Sequence, residues 1–320
     1  MVLNCSSDDL KWQQPWWILL ISSIGFTAVL KSLIALLKWL YCVILRPEKD
    51  LKTSYGGWAL ITGATDGIGK AFAFRLAEKG MNLVLVSRDL GKLEMIGEEI
   101  RGRRHGIEIR VFEIDFARND AVLRVEKMKE FIEGLQIGVL INNVGVTYPK
   151  AMFFHEVEER TWMKLVRVNV EGTTYVTRAV LPGMFDRRRG AVVNIGSGAA
   201  IIVPSHPLYA IYAATKAYVD QLARSLSVEY KQYGVDVQCQ VPLYVSTKMA
   251  TRVAFVEKPS VLVPSAERYA AAAVGFIGRE GRCTPYWGHS VQWFLASLLP
   301  EALLDRWRLS VGIRRMELSH

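Results

Sequence analysis

Beyond residue 55 the chain switches repeatedly between two periodicities, and this alternation restricts its fold more than any other feature. Six short apolar runs, WALIT (58–62), NLVLVS (82–87), IEIRVFEID (107–115), GVLINN (138–143), AVVNIGS (191–197) and VDVQCQV (235–241), are separated by segments with helical patterning. Strands alternating with helices predict a parallel sheet covered by helices on both faces. The expected class is therefore α/β, a doubly wound parallel sheet. No internal repeat or low-complexity linker interrupts residues 51–285, which read as one domain. Ligands of such open sheets bind beyond the carboxyl ends of the strands, so the residues at those ends are the candidates for function.

The first run ends in TGATDGIG (62–69) and opens a helical segment. Gly63, Gly67 and Gly69 suit a tight turn, backbone approach to a pyrophosphate and close helix packing, with the pyrophosphate at the positive helix N-terminus. Thr65, Asp66 and Ile68 complete that loop. Its spacing is TGxxxGxG rather than GxGxxG, and ordinary turns also use glycine. The second run ends in VSRD (86–89), where an NAD site usually carries an acidic residue for the ribose. Ser87 and Arg88 there suit a 2′-phosphate, which points to NADP(H). Asp89 is expected to cap the next helix. At the third end Asp115 is placed either to meet an adenine amine or to cap the following segment. Asn142, Asn143 and Gly145 lie in NNVG at the fourth end. Their amides either line a cofactor floor or tie strand ends together, and both roles keep Asn142 buried and hydrogen-bonded. Ser197 stands at the tip of the fifth run, in NIGSG.

The segment LYAIYAATKAYVD (208–220) holds three tyrosines and one lysine, and only Tyr212 stands four residues before Lys216. Residues so spaced share a helix face, although such a pair alone is common on ordinary wet helices. Here the glycine loop, Ser197, Tyr212 and Lys216 all belong to one end of one predicted sheet.

TGxxxGxG, NNxG, Asn169 in LVRVNVEG on the long middle helix, Ser197 and YxxxK, in this order, resemble the short-chain dehydrogenase/reductases over residues 56–283. YGGWALITGATDGIGKAFAFRLA, NIGSGAA, YAATKAYVDQLARSLSVEY, VDVQCQVPLYVSTKMA and RCTPYWGHSVQWFL are similar to one branch. That branch is the membrane-bound, plant-type very-long-chain 3-oxoacyl-CoA reductases, related to 17β-hydroxysteroid dehydrogenases. The resemblance implies a Rossmann-like sheet and a set of roles. Tyr212 gives a proton to a ketone oxygen as hydride arrives from the nicotinamide. Free tyrosine has a pKa of ~10 and needs a cation nearby; Lys216 supplies it and holds the nicotinamide ribose. Ser197 donates to the same oxygen. Asn169 binds a water that relays protons from Lys216, or is a polar residue at a helix kink. Tyr209 and Tyr218 fall off the catalytic face, to pack or to line the substrate cleft.

Three departures accompany the resemblance. NNVG replaces NNAG, and Ser197 precedes Tyr212 by fifteen residues, so GAAIIVPSHPL (198–208) is expected to bulge out. VPLY (241–244) stands in place of Pro-Gly, changing the loop over the nicotinamide, where Thr247 is placed to touch the carboxamide.

The hydrophobic fraction, 51%, is high for a soluble chain of 320 residues. Residues 15–45 account for part of it, and at ~1.5 Å per residue they reach ~45 Å, enough to span a bilayer. Lys31 and Lys38 share one face and can snorkel, and Trp12, Trp16 and Trp17 fit an interfacial belt. Asp8 and Asp9 precede the run, unlike the basic start of a signal peptide. Residues 1–50 are thus expected to be an uncleaved anchor, with an amphipathic core helix as the alternative. Only Lys11 is basic before the run, whereas Arg46, Lys49 and Lys52 follow it, placing the bulk of the chain in the cytosol. With the resemblance, this implies a single-pass endoplasmic reticulum protein, although GIRRMELSH (312–320) lacks a lysine-rich retrieval ending. The net charge of +9 comes partly from RGRRH (101–105) and RRR (187–189), read as solvated surface or a face for anionic membrane or phosphorylated substrate. No aromatic-basic interleaving favours nucleic acid. Cys5, Cys42, Cys239 and Cys283 show no CxxC spacing; Cys239, in an apolar run, is expected to be packed rather than reactive. No metal site is expected. Residues 252–264 read as a substrate lid and 286–320 as an apolar, membrane-associated tail, or a terminal helix packed on the domain.

Three functions follow from these readings. The first is NADPH-dependent reduction of 3-oxoacyl-CoA in fatty acid elongation. The second is hydroxysteroid dehydrogenation, and the third a catalytically silent membrane subunit of an elongase complex. A homodimer through the Tyr212 helix and the long middle helix is common in the family.

Overall fold

The computed structural model describes residues 15–318. Cys5, Asp8, Asp9, Lys11 and Trp12, on which parts of the anchor and topology expectations rest, lie outside the described residues, as do Ser319 and His320. The chain divides into two compact units at Pro47/Glu48. In the first, the helix Trp16–Leu40 continues as a π-helical turn, Tyr41–Leu45. Together they make a helix of 30 residues, long and apolar enough to cross a membrane, with none of its apolar window buried. Ser23, Thr27 and Ser32 donate their hydroxyls to backbone carbonyls three or four residues upstream. Hydroxyls bonded in this way need no partner outside the helix.

The second unit is built on seven parallel strands: β1 (Trp58–Thr62), β2 (Asn82–Ser87), β3 (Ile109–Glu113), β4 (Ile137–Asn142), β5 (Gly190–Ile195), β6 (Val235–Gln240) and β7 (Arg282–Cys283). Their order is β3-β2-β1-β4-β5-β6-β7. The strands read as near-continuous apolar runs because both faces are covered. Ala59, Ile61, Leu83, Leu85, Val139 and Ile141 face one core, with the helices Gly67–Glu78, Leu90–Arg103 and Ala266–Gly275. Leu60, Val84, Val86, Leu140 and Val192 face the other, with Ala121–Phe131, Gly172–Asp186 and Ala210–Tyr230. All six expected strands form; the third is trimmed because Ile107 and Glu108 precede its pairing with β2. β7 has only two residues, too few for a periodic signal, and was not expected.

The winding reverses at β1. From it the chain builds β2 and β3 on one side, then returns to place β4 on the other. Reversal of this kind opens a crevice beyond the strand ends. On the far side, β7 holds the helix that carries Tyr212 and Lys216: Arg282 Nε donates to Asp220 Oδ1 at 2.8 Å, and Nη2 donates to Oδ2. Asp220 is buried and Arg282 partly so, so removing one partner leaves a poorly solvated charge. Asp220→Ala is expected to cost about 3 kcal/mol, the low end for a buried pair because Arg282 is partly exposed, read as a lower thermal midpoint of the detergent-solubilised full chain. A midpoint equal to that of the wild type would mean that the pair contributes nothing to stability.

Candidate active site

A single cleft of about 1080 Å³ runs along the carboxyl ends of the strands, lined by the β1 loop, the Tyr212 helix and the C-terminal helices. At its first end the chain leaves β1 through Gly63 (φ 67°), then Gly67 (φ 52°), both in the left-handed region that favours glycine. Asp66 caps the helix Gly67–Glu78 by accepting from Gly67 N at 2.8 Å. Gly69 lets that helix close on the turn: a Cβ there would lie 2.2 Å from Gly63 O and 2.3 Å from Asn143 Nδ2. Asn143 Nδ2 donates to Thr62 O (3.0 Å) and Gly63 O (3.2 Å), clipping the ends of β4 and β1 together.

Ser87, the last residue of β2, and Arg88 after it enter the cleft, with Ser87 Oγ 2.9 Å from Thr65 Oγ1. Asp89, as expected, caps the helix Leu90–Arg103, accepting from Lys92 N at 3.0 Å and pairing with Lys92 Nζ at 2.9 Å. Its carboxylate is thereby held by a local cap and ion pair. Arg88 is exposed and makes no ion pair among the described residues. The loop therefore offers a free guanidinium and an engaged carboxylate, a donor set that fits a phosphate better than a ribose hydroxyl. Asp115 lines the cleft, one carboxylate oxygen holding the local turn through Ala117 N at 3.0 Å; it caps no helix.

Asn142 does not line the cleft. Its Nδ2 donates to Thr177 Oγ1 (2.8 Å) and Asn194 Oδ1 (2.9 Å), tying β4 to β5 and to the helix behind them. Of its two roles open from sequence, the structural one describes these contacts. Gly145 does line the cleft: a Cβ on it would stand 3.4 Å from Lys216 Nζ and 3.5 Å from Asn169 Oδ1.

Ser197, Tyr212 and Lys216 come together at the centre of the cleft. Ser197 caps the short helix Gly198–Ile201, accepting from Ala199 N at 3.2 Å, and its hydroxyl is close enough to that of Tyr212 to lower the phenol's pKa. Burial raises the Tyr212 phenol above its ordinary range; the Ser197 hydroxyl pulls it down and Tyr244 pushes it up. Lys216 is buried, 6% exposed, and its Nζ donates to Ile195 O at 2.8 Å. Burial lowers its pKa from 10.5 to about 8. In this state burial decides the acidity of Tyr212, and the lysine stands beside it rather than dominating it.

Asn169 sits in a π-helical stretch, Val166–Glu171, where the helix is widened by one residue per turn. Such widenings occur often at functional sites. Its side chain accepts from Val146 N (2.8 Å) and donates to Val146 O (2.9 Å) and Thr215 Oγ1 (3.0 Å). Both amide hydrogens are thus engaged by protein, and Asn169 locks the middle helix to the NNVG loop and to the catalytic helix. Thr247 lines the cleft, but its hydroxyl caps the helix Lys248–Ala254 through Ala250 N at 3.3 Å, and its methyl packs beside Gly67. Tyr209 is buried against the cleft, whereas Tyr218 is exposed and hydrogen-bonds Thr174. Cys239 is buried, its thiol raised to about 12 by burial, as expected of a packed cysteine.

Several cleft residues were not foreseen. His206 lies in the bulge before the catalytic helix, Tyr244 in the VPLY loop, and Arg308 and Arg315 on the terminal helix Glu301–Glu317. Leu208, next to this bulge, takes a left-handed conformation (φ 63°), and Gly312 leaves room for its side chain. His289 secures the VPLY loop: its Nδ1 accepts from Leu243 N at 3.3 Å and its Nε2 bonds Tyr244 O at 3.1 Å. None of these side chains belongs to a short motif, so sequence offered no signal beyond the odd VPLY.

Comparison with known proteins agrees with this geometry. The family described as short chain dehydrogenase matches residues 57–256. The chain is 57% identical over 307 residues to a very-long-chain 3-oxoacyl-CoA reductase-like protein of Arabidopsis thaliana, covering 96% of this chain and 97% of the other. It is 40% identical to the mouse very-long-chain 3-oxoacyl-CoA reductase over 77% of this chain and 76% of that one. It is 35% identical to the human inactive hydroxysteroid dehydrogenase-like protein 1, over 94% and 88%. A solved short-chain dehydrogenase from Sphingobium yanoikuyae in complex with NADPH superposes with a TM-score of 0.64 at 30% identity, covering 78% of this chain and 95% of the other. With a parallel seven-stranded sheet, a glycine turn after β1 and a Ser197–Tyr212–Lys216 centre, the chain belongs to the short-chain dehydrogenase/reductase family of NAD(P)-dependent oxidoreductases.

Proposed function

We propose that this chain uses NADPH to reduce the 3-keto group of very-long-chain 3-oxoacyl-CoA to the 3-hydroxyacyl-CoA, at the endoplasmic reticulum membrane in fatty acid elongation, with its catalytic unit in the cytosol. One observation carries the reading: the Ser197–Tyr212–Lys216 centre opens into a cleft whose far wall is Leu295, Leu299, Leu303 and Trp307. These four are also 46–55% exposed, a wall suited to an acyl chain delivered from an apolar phase. Similarity to reductases of this name over most of the chain supports the same substrate class.

The nicotinamide, when bound, supplies the hydride. Ser197 and Tyr212 hold the ketone oxygen between two hydroxyls, and Tyr212 transfers its proton to that oxygen as the C3 carbon becomes tetrahedral. Burial keeps Tyr212 protonated at neutral pH, the state that reduction requires. Lys216 then stands beside a phenolate, whose charge its ammonium stabilises. Arg88 and Ser87 fit the 2′-phosphate that separates NADPH from NADH, and Gly63, Thr65 and Gly67 fit the pyrophosphate.

A hydroxysteroid dehydrogenase would use the same centre, and the similarity to a relative named as inactive admits a silent subunit. The intact centre favours an enzyme, because a silent copy has no need of a buried lysine beside a phenol. NADPH oxidation by membranes carrying the protein, fed a long-chain 3-oxoacyl-CoA, tests the reading. Tyr212→Phe is expected to reduce the rate by roughly 10²–10⁴-fold. No turnover in either form, with NADPH binding intact, would shift the assignment to steroid chemistry or a silent subunit.

The acidity of Lys216 yields a second test. Its charged form is the working one, so kcat/KM for reduction is expected to fall as pH rises through about 8. Stability runs the other way. An unfolded chain binds this proton up to about 10.5, so between about 8 and 10.5 the unfolded state holds more protons and the residue's contribution to stability rises with pH. Cofactor-free protein melted across that range, beside Lys216→Met, reads the second effect. A flat difference between the two would refute the lowered pKa.

A further inference from the structure

Beyond the catalytic centre the cleft contains a cluster of hydrogen-bond donors that the reaction above does not use. Arg315 Nη1 donates to the Tyr244 hydroxyl at 2.9 Å. Arg308 Nη2 lies 2.6 and 3.0 Å from the two ring nitrogens of His206. His206 is held neutral, its pKa lowered to about 3 by burial and by Arg308 and Arg315, so it can only share a lone pair with Arg308. Arg308 is 7% exposed, forms no ion pair among the described residues, and its Nε has no partner. Asp305, three residues before Arg308 on the same helix, accepts from the Ser205 hydroxyl. Guanidinium groups donate and never accept. The Tyr244 hydroxyl, accepting from arginine, therefore has no protein acceptor for its own proton among the described residues. An unmatched donor held away from water costs free energy: Arg308 Nε–H is buried without a partner, and the Tyr244 Oη–H, on a half-buried residue, lines the cleft. The missing complement is an oxygen with free lone pairs.

The cluster is fixed to the catalytic helix. Ile313 and Met316, on the same terminal helix as both arginines, pack with Tyr148, Leu208 and Tyr209. Tyr209 stands one helical turn before Tyr212, and Tyr244 is near enough to push the Tyr212 phenol up. A substrate whose ketone oxygen rests on Ser197 and Tyr212 would thus present its neighbouring groups to Tyr244. Burial alone would raise the Tyr244 phenol, but Arg308 and Arg315 outweigh it and hold it below the ordinary range, which makes the hydroxyl a stronger donor.

We propose that Tyr244, backed by Arg308 and Arg315, binds the thioester carbonyl oxygen of the substrate, two carbons from the reacting ketone, and so selects 1,3-dicarbonyl thioesters over isolated ketones. The proposal rests on the 3-oxoacyl-CoA reading and names how that substrate is distinguished from a steroid or simple ketone, which has no second oxygen at this spacing. It also accounts for VPLY: the tyrosine replaces no catalytic group but adds a second point of attachment.

The test uses the detergent-solubilised full chain with NADPH and three probes: a long-chain 3-oxoacyl-CoA, the same acyl group on N-acetylcysteamine, and a long-chain ketone without the thioester. Tyr244→Phe removes only the hydroxyl, and Arg308→Gln removes the charge behind it. Each is expected to lower the ratio of kcat/KM for either thioester to that for the ketone by roughly ten- to a hundred-fold. A loss confined to the CoA ester would mean that the arginines read phosphate, and an equal loss on all three probes would mean a structural role; both overturn the proposal, as does no loss. Binding of the N-acetylcysteamine thioester to NADP⁺-loaded protein, where no hydride is available, separates this inference from the proposed activity. Thioester that binds to wild type but is not reduced would sink the activity alone, provided Tyr244→Phe still weakens binding. Wild type that neither binds nor reduces it would sink both.

Discussion

All seven strands run in the same direction, and every functional side chain depends on that constraint. Parallel strands deliver their carboxyl ends to one edge of the sheet, so residues far apart in sequence emerge side by side. The glycine turn after β1, Ser87 at the end of β2, Asn143 after β4 and Ser197 after β5 share an edge for this reason alone. The winding reversal at β1 keeps the crevice open, and the amide of Asn143 bridges the ends of β1 and β4 at its floor. Asn169 and Lys216 then attach the two long helices to that floor, through the backbone of Val146 and of Ile195. Lys216 is thereby fixed to the backbone of a strand, and Asn169 to the turn that follows β4, so the reacting groups are held by backbone contacts close to the sheet.

The charges along the cleft are mostly positive. Arg88 lies at one end, Lys216 at the centre and Arg308 and Arg315 at the other, while the nearby acids Asp89 and Asp305 are engaged locally. Of these, Lys216 and Arg308 are buried and make no ion pair among the described residues; such cations are costly in the free protein, and that cost is recovered when phosphate or carbonyl oxygens enter. A cleft with this charge pattern suits a dinucleotide at one end and an oxygen-rich thioester at the other. Its outer wall is apolar, made by the C-terminal helices Trp287–Ser297 and Glu301–Glu317. Residues 286–318 thus both pack on the domain and expose leucines: Leu304 is buried, while Leu298 and Leu303 face outward.

Most of the fold was legible in sequence. The periodicity named six of seven strands because five are buried almost throughout and the edge strand β3 still leaves apolar residues at Ile109, Val111 and Phe112. Only β7, two residues paired to β6 at Cys239 and Gln240, left no such trace. The centre of the site was legible for a related reason: TGxxxGxG, NNxG and YxxxK are local spacings, each set by a turn or by one helical repeat. Asn142 shows where local reading stops. The motif contains it, but whether its amide faces a cofactor or Thr177 and Asn194 depends on the register of neighbouring strands.

The substrate side of the cleft was decided by tertiary structure alone. Arg308 meets His206 across roughly a hundred residues, and Arg315 meets Tyr244 across about seventy. No periodicity or motif links such pairs. In sequence the arginines read only as the charged face of an amphipathic tail, and helical repeat cannot say which side of such a helix meets the domain. Packing of Gly312 against Leu208 decides it, turning the arginines inward and leaving the leucines outside. The sequence by itself determined the sheet, the glycine loop and the Tyr212–Lys216 spacing, because short-range backbone geometry dictates all three. Which side chains face the substrate was left to the tertiary structure, because only long-range packing brings a terminal helix over an active site.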